Sequence, residues 1–283
     1  MIKQFLLACS LPLTLAIPAW ADFIAVGFDA GRVARINEVT GARQIIGTSP
    51  DVGLTASLTR DPTTNTFYTV SGLESGGIRK LFTLDPNTGQ TRLVAPLSQN
   101  LVVEALAAPP IGGSLYATSD YDNTLYTIDP HSGQVKSIGA MSAGSGYTGL
   151  GLGYTYGLTF APDGALYGYS NLGGELQHGG PGFFRIDPAT AAITILTPTG
   201  AQPVRGVEDL AFSPDGTLWE ASGSGFGKLD SQTGLAAGSG RLISFDIRGL
   251  AFLPTAAVPE PTSFLLLAAG LLGVVTFRRR ASR

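Results

Sequence analysis

Two glutamates in the middle of the 283-residue chain occupy nearly identical short sequences. Glu104-Ala105-Leu106-Ala107 matches Glu208-Asp209-Leu210-Ala211, and other segments share the central leucine. Aligning the segments on that leucine places one residue from each copy at a common position, and these residues are Ala56, Glu104, Tyr156, Glu208 and Arg248. Two carboxylates, a phenol and a guanidinium around one axis would bind a polar ligand, or Ca²⁺ if Asp209 adds an oxygen.

The same residue types also allow a purely structural role. Arg248 would then neutralise Glu104 and Glu208 in an ion-pair plug. An enzyme needs separated carboxylates with perturbed pKa values, whereas a plug needs contact between glutamate and arginine. Both roles stay open from the sequence, and Glu104, Glu208 and Asp209 are the candidate metal ligands.

The segments that would position these residues form a repeat. One copy contains an apolar strand, a tight turn, a Leu-aromatic strand, an apolar strand ending in Asp or Asn, a marker turn and a β-branched strand. The marker turns begin at Asn37, Asp85, Asp129, Asp187 and Asp230, with spacings of 48, 44, 58 and 43 residues. Asp or Asn caps a type I turn, and Gly takes the left-handed residue that closes it. In the fourth copy Ala191 replaces that glycine, which leaves its turn open to a different geometry.

Four strands at this spacing are typical of a β-propeller blade. Five markers predict an all-β fold of five four-stranded blades over residues 22–253. Six and then seven blades are the alternatives, because a further blade could lie within residues 142–155. The first copy lacks its first strand, and residues 247–253 match that strand in the other copies. We therefore expect the C-terminal strand to pair beside residues 24–28 and complete the first blade, which removes an exposed sheet edge.

Composition supports an all-β domain and excludes some partners. Gly occurs 38 times and Pro 18 times, while charged residues make up 14% of the chain. Residues 22–259 contain 13 basic and 20 acidic residues, a net charge of −7, because Lys3 and four tail arginines are the other bases and Glu260 the other acid. Nucleic acid requires a basic face, so it is not an expected partner.

The repeats resemble exported bacterial propellers with Gly-Leu-Ala-Phe-x-Pro-Asp-Gly-x-Leu-Tyr motifs, most clearly at residues 157–167. That likeness is shared by enzymes and binding proteins, so it implies a fold and leaves the function open. Calcium-dependent gluconolactonase-like propellers also place a Glu before the first strand. Their further Asn and Asp ligands do not align with this sequence.

The N-terminus has the three parts of a secretory signal peptide. Lys3 supplies the positive charge, residues 5–17 are apolar, and Ala19-Trp20-Ala21 is a cleavage site. We expect export through the Sec translocon and removal of residues 1–21 by signal peptidase. A lipoprotein signal at Cys9 is the alternative, but its apolar region would be too short. Cys9 is the only cysteine, so the mature chain has no disulfide and no thiol nucleophile.

The C-terminus contains, in order, Pro259, Glu260 and Pro261, an apolar run, and Arg278, Arg279 and Arg280. An apolar run followed by arginines is a stop-transfer signal, because the arginines stay on the cytoplasmic side. With Thr262 the run spans roughly 24 Å as a helix, short of the ~30 Å hydrocarbon core. We expect a linker over residues 254–262, a transmembrane helix over 263–277 and a basic cytoplasmic tail over 278–283.

These tail residues resemble the PEP-CTERM sorting signal of Gram-negative bacteria, a segment also labelled an ice-binding protein C-terminal region. The resemblance implies recognition by an exosortase, cleavage near the Pro-Glu-Pro and transient anchoring in the inner membrane. It also implies release to the cell surface or outside, with exopolysaccharide or biofilm. The ice-binding label refers to the sorting segment and does not imply that the protein binds ice. The alternative is an ordinary anchor that is never cut.

Other residues lack the surroundings that chemistry requires. His131 lies inside a marker turn, His178 in a Gly-rich loop, and Asp120 and Asp122 in an ordinary turn. No serine has a His and Asp constellation that would make a hydrolase triad. The favoured function is a non-enzymatic surface or matrix propeller that binds polysaccharide, protein or a small ligand. The alternative is a hydrolase, lactonase or lyase with its acid and base at the channel mouth.

Overall fold

The strands of the repeat pair into five antiparallel sheets of four, arranged as the blades of a β-propeller. The computed structural model describes residues 22–27, 31–49, 57–71, 77–119, 122–142, 154–171, 182–223, 225–238, 240–242 and 246–254. The predictions on residues 1–21 and 255–283 lie outside these ranges, as do Ala56, Asp120 and His178. Five four-stranded blades are confirmed, so the alternatives of six and seven are wrong.

The bounds of the strands follow the repeat. Blade 1 contains β1 Asp22–Gly27, β2 Arg32–Asn37, β3 Arg43–Thr48 and, from the other end of the sequence, β20 Ile247–Leu253. Blade 2 contains β4 Thr59–Asp61, β5 Thr66–Val70, β6 Lys80–Leu84 and β7 Thr91–Pro96. Blade 3 contains β8 Val103–Ala107, β9 Leu115–Ser119, β10 Thr124–Ile128 and β11 Val135–Ala140. Blade 4 contains β12 Tyr154–Phe160, β13 Leu166–Asn171, β14 Gly182–Ile186 and β15 Ile193–Ile195. Blade 5 contains β16 Val207–Phe212, β17 Leu218–Ser222, β18 Gly225–Leu229 and β19 Arg241–Leu242.

Blade 1 is closed by the last strand of the propeller. β20 pairs antiparallel with β1, with Asp22 opposite Leu253 and Phe23 opposite Phe252. The predicted closure is therefore confirmed. Every described strand lies within residues 22–253, so the ring closes without residues outside this segment. The described residues contain no helix that is long and apolar enough to cross a membrane.

The marker turns carry the hydrogen bonds that their sequence predicts. Asp85 accepts from the N–H of Asn87 at 2.8 Å and from the hydroxyl of Thr88 at 3.0 Å, while Gly89 has a φ of 69°. Ala191 takes the same conformation, with a φ of 62°, and its N–H donates to the carbonyl of Asp187 at 2.8 Å. The fourth turn therefore keeps the geometry of the others at the cost of a left-handed non-glycine residue.

Marker turns also dock onto the last strand of the preceding blade. The hydrogen bonds that join them are Ser49 Oγ to the Gly89 carbonyl, Ser98 N–H to the Gly133 carbonyl at 3.0 Å, and Thr197 Oγ1 to the Thr233 carbonyl at 3.0 Å. Between blades 3 and 4, the N–H of Ile193 at the start of β15 donates to the carbonyl of Ser142 at 3.1 Å. The glycine that ends a turn must also leave room in this interface. A Cβ on Gly234 would lie 2.1 Å from the Cβ of Phe183.

The hydrophobic core is divided into five layers, each between two neighbouring blades. Side chains on one face of a blade pack against the facing side of the next, as expected for strands whose side chains alternate between two faces. Between blades 5 and 1, for example, Trp219 and Phe226 pack with Phe23, and the rings of Phe23 and Trp219 lie 5.3 Å apart. Blades are therefore held together by apolar packing. The marker turns add hydrogen bonds between blades near the outermost strands.

Two glycines that share a left-handed backbone allow the docking interface to be tested. Gly216→Ala should cost about 1 kcal/mol, because its φ is 84° but nothing lies within 4 Å of the new Cβ. Gly234→Ala should cost about 1–3 kcal/mol more, since the added methyl overlaps buried Phe183. Urea unfolding of residues 22–254 measures both variants. Equal losses of stability would show that the marker turns do not dock tightly between blades.

Candidate functional site

The innermost strands β20, β4, β8, β12 and β16 approach one another around the axis of the propeller. In four of the five blades, the residue two before the aligned leucine is a β-bulge that has no partner in the neighbouring strand. These residues are Glu104, Tyr156, Glu208 and Arg248. A bulge changes the direction of its side chain, and it occurs at the same end of these four innermost strands. The sequence alignment therefore identified four structurally equivalent residues, while Ala56 lies outside the described residues.

Arg248 is the centre of a cluster at this end of the axis. Its Nη1 donates to Glu208 Oε2 at 2.9 Å, and its Nε and Nη2 donate to the two oxygens of Asp246 at 3.0 and 3.2 Å. The side chains of Arg248, Glu208 and Asp246 are 25%, 16% and 32% exposed. The contact between glutamate and arginine that a plug requires is present. Sequence reasoning missed Asp246, although its position two residues before Arg248 puts both side chains on one side of an extended segment.

We call the end formed by Glu104, Tyr156, Glu208, Asp246 and Arg248 the mouth face. Burial raises the pKa of Glu208, although the charge of Arg248 opposes this shift. Burial acts to lower the pKa of Arg248, but Asp246 and Glu208 raise it above its ordinary value, and Tyr156 adds to this shift. Glu104 is buried, with 5% exposure. The face therefore combines the ion-paired cluster of Arg248, Glu208 and Asp246, which we call the charged fork, with a half-buried phenol and a more deeply buried carboxyl group. The phenol is that of Tyr156 and the carboxyl group that of Glu104.

Asp209 occupies the axis itself, one residue beyond the bulge. It is completely buried, and it accepts hydrogen bonds from the N–H groups of Leu210 at 2.8 Å and Leu250 at 2.7 Å. The amides of Leu58 and Leu158 donate to the same carboxylate. One side chain therefore joins the innermost strands of four blades. Burial raises the pKa of Asp209, while the four amides act to lower it.

Small residues at the positions equivalent to Asp209 make room for this carboxylate. They are Ser57, Ala105, Gly157 and Gly249. A Cβ on Gly249 would lie 2.7 Å from the amide nitrogen of Leu58, one of the donors to Asp209. One Asp among four small residues at the same position of the repeat is the sequence signal for an axial carboxylate, whereas the predicted site is built on the position before it.

The candidate metal ligands Glu104, Glu208 and Asp209 do not form a cation site in this geometry. Four N–H groups donate hydrogen bonds to the carboxylate of Asp209, and the guanidinium of Arg248 donates to the carboxylate of Glu208. Both carboxylates therefore already have donors where a cation would bind. Within the described residues, no three His, Cys, Asp or Glu side chains form a group that could hold a metal ion. His131 stays exposed in its marker turn, where its N–H donates to Asp129 at 2.9 Å.

A further buried acid lies between blades 4 and 5. Glu220 is 7% exposed, and its Oε2 has no hydrogen-bond partner among the described residues. It lies over Gly227, whose Cβ, if present, would be 2.9 Å from Glu220 Oε1. Burial raises the pKa of Glu220 to about 7. Glu220 follows Leu218 and Trp219 in a strand whose sequence is typical of the hydrophobic core. The sequence therefore contained no signal that this acid is functionally unusual.

Comparison with known proteins identifies the end of the chain and the fold. Residues 257–280 match the model of the PEP-CTERM protein-sorting motif. This motif implies export, membrane anchoring before cleavage and processing by an exosortase. No curated protein matches the sequence. The chain is thus a five-bladed β-propeller with a C-terminal PEP-CTERM sorting motif.

Solved structures share the architecture at low sequence identity. A chain in the crystal structure of a nidogen/laminin complex is matched with a TM-score of 0.56 and 11% identity, over 84% of this chain and 100% of that chain. TolB from Acinetobacter baumannii gives 0.48 and 15%, over 83% and 66%. A putative 6-phosphogluconolactonase from Bacteroides uniformis gives 0.46 and 12%, over 83% and 100%. The first likeness supports the propeller fold alone.

A double-mutant cycle tests whether the Arg248 cluster stabilises the fold. Arg248→Ala leaves Glu208 and Asp246 without their shared counter-ion and should cost about 2 kcal/mol, between the values for exposed and buried pairs. Adding Glu208→Gln removes one of the two acids and should restore about half of the loss. Thermal melting of the single and double variants measures this, with exposed Arg185→Ala as the control. An Arg248→Ala variant that melts like the wild type would contradict the structural role.

Glu220 should make the stability depend on pH. Its pKa is about 7 in the folded protein and 4.5 as the ordinary value, so the folded state binds the proton more tightly. The stabilisation that this difference gives the folded state is complete below pH 4.5 and is lost as the pH rises to about 7. The free energy of unfolding should fall by about 3 kcal/mol over this range. Glu220→Gln, which stays neutral, should be more stable than wild type at pH 8 and lose that advantage at pH 4.5. Urea unfolding across this range checks it, and a difference that does not vary with pH would contradict it.

Proposed function

We propose that the protein is a non-enzymatic surface propeller that binds extracellular polysaccharide through its mouth face. Its precursor passes through the Sec translocon and loses residues 1–21 to signal peptidase. The segment 263–277 holds it in the inner membrane until an exosortase cuts near Pro259-Glu260-Pro261 and releases it to the cell surface. The sorting motif at residues 257–280 supports this route.

The observation that carries the binding function is the convergence of four bulge residues on one end of the axis. Arg248 holds Glu208 and Asp246 in a fixed fork, and hydrogen bonds at fixed positions favour recognition of an array of hydroxyl groups. Tyr156 is half-buried beside this fork and offers a flat ring with a hydroxyl. Polar groups around an aromatic side chain are suited to a sugar ring.

The charge of the face indicates the kind of polysaccharide. Two carboxylates contact a single guanidinium, so the fork has a net negative charge. The propeller segment as a whole is also acidic, with 13 basic and 20 acidic residues in 22–259. A uronate-rich polymer would be repelled at this face. We therefore expect a neutral polymer that offers hydroxyl groups.

The enzyme alternative has one observation in its favour. Burial raises the pKa of Glu208, which is the direction that a general acid requires. Asp246 would be the second carboxylate of a hydrolase, lactonase or lyase, but the guanidinium of Arg248 lies between the two acids. A retaining or inverting pair needs the space between its carboxylates for the substrate or water. The same protein preparation distinguishes the two functions.

The experiment begins with protein released from an exosortase-positive host. Its intact mass should correspond to a chain that begins at Asp22 and lacks residues 264–283. A glycan array, run with Ca²⁺ and with a chelator, should then show binding to neutral polysaccharide in both conditions. Tyr156→Ala should weaken that binding at least about tenfold because a stacking surface is lost, and thermal melting should show that the variant still folds. Exposed Lys136→Gln is the matched control.

Two outcomes would overturn the proposal. Turnover of a lactone or glycoside that disappears in Glu208→Gln would make the protein an enzyme. Binding to polysaccharide that Tyr156→Ala and Asp246→Asn both leave unchanged would move the binding site away from the mouth face. Retention of residues 264–283 in the released protein would contradict the sorting route but not the binding site.

A further inference from the structure

The opposite end of the axis differs in chemistry from the mouth face. A cavity of about 290 Å³ opens there. Its lining comes from the innermost strands of blades 1, 2, 4 and 5, from the turns after three of these strands, and from Ala108 and Pro110, which follow the innermost strand of blade 3. The leucines at its deep end include Leu58, Leu158, Leu210 and Leu250, whose amides hold Asp209. The axial carboxylate therefore separates this cavity from the mouth face. Nothing in the proposed polysaccharide site uses the cavity.

Most of the lining is apolar because three blades place an aromatic residue at the same position. Two residues after the aligned leucine, blades 4, 5 and 1 carry Phe160, Phe212 and Phe252, and blade 3 carries Ala108. Pro162 and Pro214 form part of the rim. An apolar cavity of 150 Å³ holds benzene, so about twice that volume accommodates a body of roughly two fused rings.

Blade 2 supplies a cation at that same position. Among the described residues that line the cavity, Arg60 is the only one with a charge. Its Nε donates to Asn65 Oδ1 at 2.7 Å, and Asn65 is held in a left-handed turn conformation with a φ of 56°. The contacts of the described residues leave both Nη groups of Arg60 without an acceptor. The guanidinium is therefore positioned through one nitrogen and keeps two donors for a ligand.

The neighbouring acid does not occupy those donors. Asp61 accepts from the N–H and hydroxyl of Thr63 at 2.8 and 2.7 Å and from the hydroxyl of Thr64 at 2.9 Å, so its oxygens serve the turn. Burial lowers the pKa of Arg60 below its ordinary value, although Asp61 opposes the shift. A partly desolvated guanidinium beside an apolar wall gains from an anion that supplies the missing acceptors.

We propose that this cavity binds a small organic carboxylate with an apolar aromatic body. The carboxylate accepts two hydrogen bonds from the Nη groups of Arg60, and the body lies among Phe160, Phe212 and Phe252. The apolar lining disfavours a sugar, which would lose the hydrogen bonds of its hydroxyl groups to water. The single cation disfavours a metal ion. The site is distinct from the mouth face in both position and ligand class.

The test uses residues 22–254, which contain every described strand, and 2-naphthoate as the probe. Isothermal titration calorimetry should give binding of 2-naphthoate at least about tenfold tighter than binding of 2-naphthalenemethanol, which has the same rings and no charge. Arg60→Gln should remove this preference by weakening the acid and not the alcohol. Exposed Arg185→Gln, which lies outside the cavity, is the matched control.

A second variant fills the cavity in a way that the fold already uses. Ala108→Phe gives blade 3 the residue that three other blades have at this position and should abolish binding of both probes. Tyr156→Ala at the mouth face should leave 2-naphthoate binding unchanged, which separates this site from the polysaccharide site. Three outcomes would overturn the proposal. The wild type could bind 2-naphthoate and 2-naphthalenemethanol equally, it could bind neither, or Arg60→Gln could bind 2-naphthoate as tightly as the wild type.

Discussion

Five innermost strands meet at the axis of this propeller, and each presents a sheet edge that no further strand can pair. A buried N–H group without an acceptor costs ~1–3 kcal/mol, so the axis is the place where closure of the ring is most expensive. Asp209 supplies an acceptor to four of these edges with one carboxylate. The rest of the ring can then rely on apolar layers between blades, because four amides at its centre already have an acceptor.

The axial carboxylate also divides the molecule into two chemically different ends. On one side, β-bulges turn Tyr156, Glu208 and Arg248 toward a polar face. On the other, regular pairing resumes and the same strands place three phenylalanines around an apolar cavity. A five-fold repeat can thus present two unrelated surfaces, since residues only four positions apart on each innermost strand reach opposite ends of the axis.

Much of the architecture was predictable because it depends on turn residues that are local in sequence and on a repeat with a regular spacing. Marker turns separated by about one blade length predicted five sheets, and a missing first strand predicted that residues 247–253 pair beside residues 24–28. The structure pairs Ile247–Leu253 with Asp22–Gly27. The alignment also found Glu208 and Arg248 at equivalent bulges. The role of Asp209 was missed because its four amide donors come from blades far apart in sequence. Its only signal was a comparison of the copies, in which small residues stand at the position of Asp209. Glu220 was missed for a similar reason: its unusual pKa comes from burial between two blades, and its own strand looks like ordinary core.

The position of β20 in the sequence sets the order in which the chain can finish folding. A chain that emerges N-terminus first presents β1, β2 and β3 early, but the strand that completes their sheet arrives last. Until Ile247–Leu253 has emerged, Phe23 lacks the ring of Phe252, which lies 5.5 Å away in the finished propeller. In such a chain the ring closes only after Ile247–Leu253 has emerged, so ring closure is the last step of folding. The strand that closes the ring also lies just before the sorting motif at residues 257–280.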